Sequence, residues 1–180
     1  MKKYTIGLIT GALLAVSAMM FMGAQNKNLG DITVNSITVT DDGSGGVIRT
    51  YNADGKQTVY LGTGEGGVGF LQTYNADGIK TSYLGTGEGG VGKLTTSNAD
   101  GIQTSYLGTA EGGFGFLSTS NADGIQTSYL GTAEGGFGFL STYNKHGVMT
   151  GYFGTNTDND GMAVLSDRYG DIGWAVDGKK

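Results

Sequence analysis

One block of 23 residues recurs along most of this chain, and it limits the possible folds more than any other feature. The tetrapeptide Asn-Ala-Asp-Gly returns at this spacing at 52–55, 75–78, 98–101 and 121–124. Diverged copies at 144–147 and 167–170 keep the spacing, and residues 96–118 are identical to residues 119–141. So short and regular a period predicts a repeat architecture, in which each unit packs mainly on its neighbours.

Each unit contains two strand-like halves separated by glycine-rich turns. Residues 68–74 and 79–85 are rich in β-branched and aromatic side chains, which favour strands. Asn98-Ala99-Asp100-Gly101 suits a type I turn closed by a glycine bulge, and Thr109-Ala110-Glu111-Gly112 repeats that plan. The sequence therefore predicts an all-β fold, a repetitive antiparallel meander of 23-residue hairpin units. The same turns suit the corners of a β-solenoid or of a trimeric fibrous β-structure, which are the alternatives.

A tyrosine recurs in the second half of each unit and is the main candidate for contacts with other molecules. Because successive strand residues point to opposite faces, each unit is expected to have two distinct faces. The residues expected on the first face are Ile79, Thr81 and Tyr83 with Phe70 and Tyr74. Those expected on the second face are Leu71 and Leu84 with Thr73, Lys80 and Ser82. The first face is the more apolar, and we expect it to be a ligand or self-association face. Its tyrosines are Tyr60, Tyr83, Tyr106, Tyr129 and Tyr152.

The N-terminal segment, residues 1–24, has the pattern of an export signal. Lys2 and Lys3 precede an uncharged, largely apolar run. This run suits either a signal peptide cleaved after about residue 18 or an uncleaved anchor, since about 20 helical residues span a bilayer. We expect the remainder to be membrane-anchored facing outward, or secreted or periplasmic after cleavage.

The rest of the chain divides into a linker and the repeats. Residues 25–45 are predicted to be a linker with one short strand over Ile32 to Thr40, where β-branched residues are frequent. Residues 46–180 are predicted to be the glycine-rich β-repeats, ending in a diverged C-terminal capping repeat.

Charge and composition argue against several classes of function. The chain has 11 cationic and 16 acidic residues, a formal charge of −5 and no basic cluster, so nucleic acid is not an expected partner. It has no cysteine, hence no disulfides and no cysteine-ligated metal. Its one histidine, His146, stands at a turn position and cannot serve a repeated catalytic site. We expect no enzymatic activity and no organic cofactor.

One segment resembles a calcium-binding loop in the order of its oxygen ligands. Asn156, Asp158, Asp160 and Asp167 stand at positions 1, 3, 5 and 12 of such a loop, with Gly161 at position 6. Asn at the first position and Asp at the last depart from the usual ligand set. The alternative is a polar hairpin turn, because the stretch aligns without a gap to the ordinary turns of the other units.

Two functions fit these observations. The first is an exported structural or fibre-like surface repeat protein that associates with itself, as a homotrimer or a fibre. The second is a surface binding or adhesion module, whose repeated tyrosines contact a glycan or a protein.

We predict that a reporter fused after Lys180 is active only outside the cytoplasm. Replacing Leu13 and Leu14 by Asp should abolish this activity, because each charge at the centre of an apolar span costs about 2.5–3.5 kcal/mol on insertion. The measurement is reporter activity in fractionated cells. Accumulation of the unmodified fusion in the cytoplasm would contradict the prediction.

Overall fold

The repeat region forms one antiparallel sheet of twelve strands in chain order. The computed structural model describes residues 10–17, 33–41, 43 and 45–179. The strands are β1 (Val47–Tyr51), β2 (Gln57–Thr63), β3 (Gly69–Tyr74), β4 (Lys80–Thr86), β5 (Gly92–Ser97), β6 (Gln103–Thr109), β7 (Gly115–Ser120), β8 (Gln126–Thr132), β9 (Gly138–Tyr143), β10 (Met149–Thr155), β11 (Gly161–Ser166) and β12 (Ile172–Asp177). Every strand pairs only with the strands before and after it, so β1 and β12 are the edge strands of the sheet. The predicted meander is confirmed, and each unit supplies one hairpin.

The described residues before the sheet contain one short helix, residues 10–17. None of the helices within the described residues has the length and apolar content needed to cross a membrane. The other residues of the predicted targeting segment, 1–9 and 18–24, lie outside the described part. The strand predicted over residues 32–40 is not formed in residues 33–40, and residue 32 lies outside the described part.

The Asn-Ala-Asp-Gly turns have the predicted geometry. In the third unit the Gly101 amide donates to the Asn98 carbonyl at 3.1 Å, and the Asn98 amide donates to the Ile102 carbonyl at 2.9 Å. Gly101 has a φ of +84°, which is the left-handed conformation that closes a type I turn with a bulge. The Asn98 side-chain oxygen accepts from the amides of Asp100 and Ile102 at 3.0 and 2.9 Å, so it fixes the turn locally.

The side-chain amides of these asparagines also connect successive units. Asn75, Asn98 and Asn144 each donate to the carbonyl of the residue 24 positions later, at 3.2, 3.3 and 3.1 Å. Because that carbonyl belongs to the equivalent turn of the next unit, one residue type both closes a turn and holds it to its neighbour.

The second kind of turn differs from the prediction. It comprises Ala110 to Gly113, one residue later than expected, with the Gly113 amide donating to the Ala110 carbonyl at 3.1 Å. Gly112 and Gly113 have φ values of +88° and +87°. The third residue of a type I turn needs a negative φ, so this turn is not type I. Two consecutive left-handed residues explain why these turns contain paired glycines.

A β-bulge in each unit changes the predicted faces. Thr73 is paired with Ser82, but the next residue, Tyr74, is paired with Lys80, so Thr81 is the extra residue. The hydroxyl oxygens of Thr81 and Ser82 lie 3.1 and 2.7 Å from that of Thr73. All three residues therefore share a face, and the prediction that Thr81 lies beside Tyr83 is wrong.

The bulge also places Lys80 on the same face as Tyr83. Its Nζ lies 5.9 Å from the ring centroid of Tyr83, so the prediction that Lys80 lies on the leucine side is wrong. Phe70 stacks on Tyr83, as expected, with their ring centroids 5.6 Å apart. Leu71 and Leu84 are directly paired on the opposite face, also as expected.

Deleting residues 119–141 should leave the fold intact, because the deletion removes one complete 23-residue period and joins equivalent positions. Stability should fall modestly, by one unit and one interface between units. Deleting only residues 121–130 should do more damage, because it removes one turn and most of a strand and puts the next turn out of register. Urea unfolding followed by circular dichroism measures both, and equal losses would contradict the unit boundaries.

Candidate functional site on the two sheet faces

The sheet has no hydrophobic interior. Among the described residues no hydrophobic side chain is buried, and the only buried residues are Thr95, 9% exposed, and Ser141, 2% exposed. Sheets of ordinary domains bury at least one face against a second layer. Both faces of this sheet are therefore candidates for contact with another molecule.

One face carries an unbroken apolar row, which we call the leucine ladder. Each member lies directly opposite its counterpart in the next strand. The members are Ile48, Leu61, Leu71, Leu84, Leu94, Leu107, Leu117, Leu130, Leu140, Phe153, Ala163 and Val176. Ten of them are exposed, from 36% for Leu94 to 69% for Phe153. An apolar row of this length goes beyond the scattered exposed hydrophobic residues of typical monomers.

The rest of this leucine face is uncharged and largely polar, and its further apolar residues are Val59, Leu165 and Trp174. Hydroxyl pairs lie beside the ladder, and Thr73–Ser82, Thr96–Ser105 and Thr119–Ser128 all have oxygen–oxygen distances of 2.7 Å. These hydroxyls have partners within the sheet, so covering them would leave few polar groups unpaired. The strand registers place the charged residues of the strands on the opposite face. They are Arg49, Lys80, Lys93 and Asp177.

The opposite, aromatic face holds all five predicted tyrosines in one row, with a phenylalanine between successive tyrosines except between Tyr83 and Tyr106. Ring centroids lie 4.9 Å apart for Tyr60–Phe70, 4.7 Å for Tyr106–Phe116, 5.1 Å for Phe116–Tyr129 and for Tyr129–Phe139, and 5.7 Å for Phe139–Tyr152. The planes are within 15° of parallel. Stacking leaves these tyrosines half-buried, whereas ten of the twelve ladder residues are exposed. Their role as a contact face stays a prediction.

A glycine two residues after each tyrosine makes this stacking possible. A Cβ added to Gly131 would lie 2.7 Å from the Phe116 Cβ and 2.8 Å from the Tyr129 Cε1. Gly131 is directly opposite Phe116, so the Tyr129 ring leans over the glycine to reach the phenylalanine. The Tyr-Leu-Gly sequence of these units is therefore a packing requirement.

The aromatic row has a break at Lys93, a position that the sequence reasoning missed. Lys93 occupies the place held by Phe70, Phe116 and Phe139 in other units. Its Nζ lies 5.0 Å from the ring centroid of Tyr83. The signal is visible when the units are aligned, since Lys93 is the cationic residue in a column that otherwise holds Val, Phe or Met.

Three of the four side chains of the calcium hypothesis, those of Asn156, Asp158 and Asp167, have other partners. The Asn156 side-chain oxygen accepts from the amides of Asp158 and Asp160 at 3.0 and 2.9 Å, as in the ordinary turns. Asp158 forms an ion pair with Lys179 at 2.6 Å, and Asp167 accepts from the amide of Tyr169 at 2.8 Å. In the part of the chain that the structure describes, no group of three or more His, Asp or Glu side chains is placed to hold a metal ion. Calcium binding stays a prediction without geometric support.

No family model matches the sequence, and no curated protein matches it.

Replacing Gly131 by Ala should destabilise the sheet by about 1–3 kcal/mol, because the added methyl group overlaps Phe116 and Tyr129. Gly138 is the matched control, since a Cβ there meets no atom within 4 Å. Urea unfolding of both variants checks this. Equal destabilisation would show that the aromatic packing does not depend on the glycine.

Proposed function

We propose that the chain is an exported, non-enzymatic structural repeat protein whose copies associate through the leucine face. The observation that supports this is the leucine ladder, which crosses all twelve strands with ten exposed members. Exposed rows of this kind are stable in water when another apolar surface covers them.

The size of the leucine face suits a stable interface. Eleven strand spacings of about 4.8 Å give a ladder about 50 Å long. The ladder and the row on each side of it span roughly 13 Å, since same-face neighbours along a strand are about 6.7 Å apart. The product is roughly 700 Å² per copy, close to the 800 Å² or so that each partner contributes to a standard protein interface.

The chemistry of the face favours a second copy of this chain as its partner. The strand residues of this face include no charged residue, and three of its threonine–serine pairs are already hydrogen-bonded to one another. A partner with fixed charges would lose hydration there without gaining an ion pair. Two leucine faces are similar in length and composition, and two sheets can pack about 10 Å apart with interdigitating side chains.

The repeats support a role in setting length. Each unit adds two strands, so duplicating a unit lengthens the sheet by about 10 Å without changing either face. Residues 96–118 and 119–141 are identical, as expected for a recent duplication. The expected assemblies are a face-to-face pair, a homotrimer or a fibre. The proposal that the protein is exported depends on the N-terminal segment.

Replacing Leu84, Leu107 and Leu130 by Thr should reduce the assembly to single chains, because Thr keeps strand propensity but removes apolar area. The full chain, purified in a mild detergent, is measured by analytical ultracentrifugation, with circular dichroism for strand content. Dissociation into folded single chains supports the proposal. Dissociation with loss of strand signal also supports it, because the sheet would then depend on assembly to bury its apolar surface.

The matched control replaces Gln103 and Gln126 by Thr on the aromatic face, and it should keep the mass of the unmodified protein. The proposal is contradicted if the leucine variant retains both its mass and its strand content. In that case the leucine ladder is exposed in the functional protein.

A further inference from the structure

The break in the aromatic row creates a site with its own chemistry. The stack Tyr60–Phe70–Tyr83 ends at β4, and the next stack begins with Tyr106 on β6. Lys93 on β5 stands between them. Its ammonium lies 5.0 Å from the Tyr83 ring centroid, and the Lys80 ammonium lies 5.9 Å from the same centroid. Two cations therefore converge on one tyrosine.

Two adjoining depressions meet at Lys93. One, of about 530 Å³, is lined by Lys80, Tyr83, Thr95 and Gln103 as well as by Lys93. The other, of about 830 Å³, lies between Lys93 and Tyr106. Both fall in the usual size range of small-molecule sites, roughly 300–1,000 Å³.

Tyr106 presents a ring face to this groove. Within the described residues its ring stacks with one other ring, that of Phe116, whereas Tyr129 stacks with rings on both sides. A phenylalanine at position 93 would supply the missing second partner. Lysine leaves that ring face available to a flat or ring-shaped ligand.

The two lysines have no anionic partner in the described part of the chain, where the one ion pair joins Lys179 to Asp158. Glu65, Glu88 and Glu111 reach the two depressions from the turns, but none of them lies within ion-pair distance of Lys80 or Lys93. Both ammonium groups lie within 6 Å of the Tyr83 ring centroid, in the range of a cation–π contact. An anion entering the groove would therefore be attracted by both.

We propose that this groove binds a sugar that carries a carboxylate, as in an oligosaccharide of uronic acids. Lys80 and Lys93 hold the carboxylate, and Tyr106 covers the apolar face of the sugar ring. The side chains of Thr95 and Gln103 supply donors and acceptors for its hydroxyls. The site goes beyond the proposed structural role and lies on the face opposite the leucine ladder, so assembly through that ladder leaves it accessible.

Calorimetric titration of the full chain with a tetramer of galacturonic acid tests the site. Lys93→Phe installs the residue that the neighbouring units have, so the sheet should remain folded while affinity falls at least tenfold. Lys80→Gln installs the residue found at positions 57, 103 and 126 and should weaken binding several-fold. The controls Lys56→Gln and Lys145→Gln change lysines in turns and should leave the affinity unchanged.

A gain of binding provides the stricter test. Gln126→Lys together with Phe139→Lys reproduces the lysine pair around Tyr129, with Tyr152 beyond it. The double variant should bind two tetramers per chain where the unmodified chain binds one. A stoichiometry that remains at one would overturn the idea that the lysine pair and its flanking tyrosines define the site.

Two further probes decide the ligand class. A neutral galactose tetramer should bind at least tenfold more weakly than the galacturonic acid tetramer. Equal binding would show that the lysines do not recognise the carboxylate. Inorganic sulfate should compete only weakly, and competition as strong as that of the tetramer would reduce the groove to a simple anion site. Unchanged tetramer binding by Lys93→Phe would also refute the site. Because Lys93→Phe leaves the leucine face untouched, its mass in solution should not change, so failure here is separate from failure of the structural proposal.

Discussion

Pairing of side chains across neighbouring strands takes the place of a hydrophobic core in this sheet, and the other features depend on it. No hydrophobic residue of the described chain is buried, so burial within one sheet cannot supply the usual driving force. Each strand instead contributes one leucine-row contact, one ring or hydroxyl contact and the turns that hold it. Cross-strand pairs contribute roughly 0.2–1 kcal/mol each. A repeated sequence is well suited to such a sheet, because every favourable pair recurs in each unit.

The β-bulge gives the two faces their different chemistry. In a regular strand Lys80 would lie on the same face as Leu84, and so would the glutamines at the equivalent positions of other units. The extra residue, Thr81, moves Lys80 to the aromatic face and places a second hydroxyl beside Thr73. One irregular residue per hairpin therefore keeps the leucine face uncharged along its whole length. An uncharged face can pack against its own copy, whereas a row of Lys80 and three glutamines would oppose that.

The sequence predicted the elements better than their faces. Residues such as Asn98 and Gly101 act through their own backbone, so the meander and the first turn follow from local chemistry. Face assignment assumed a strict period of two, which the bulge breaks at Thr81, and the leucine row was therefore judged the less apolar one. The turn at Ala110 to Gly113 was predicted one residue too early. Its position depends on a positive φ at both glycines, whereas the prediction assumed only one. The substitution at Lys93 is visible in the sequence, but its consequence for the rings of Tyr83 and Tyr106 is visible only in the structure.

The two faces respond differently to a change in the number of units. Duplicating an ordinary unit adds two leucine-ladder residues and two stacked rings, so the contact area of the leucine face grows with length. It adds no second lysine break, because Lys93 belongs to one unit and its neighbours have phenylalanine. Assembly strength would thus scale with repeat number while binding at the proposed groove stays at one site per chain. The distance of that groove from each edge of the sheet then depends on whether units are gained or lost before or after Lys93 in the chain.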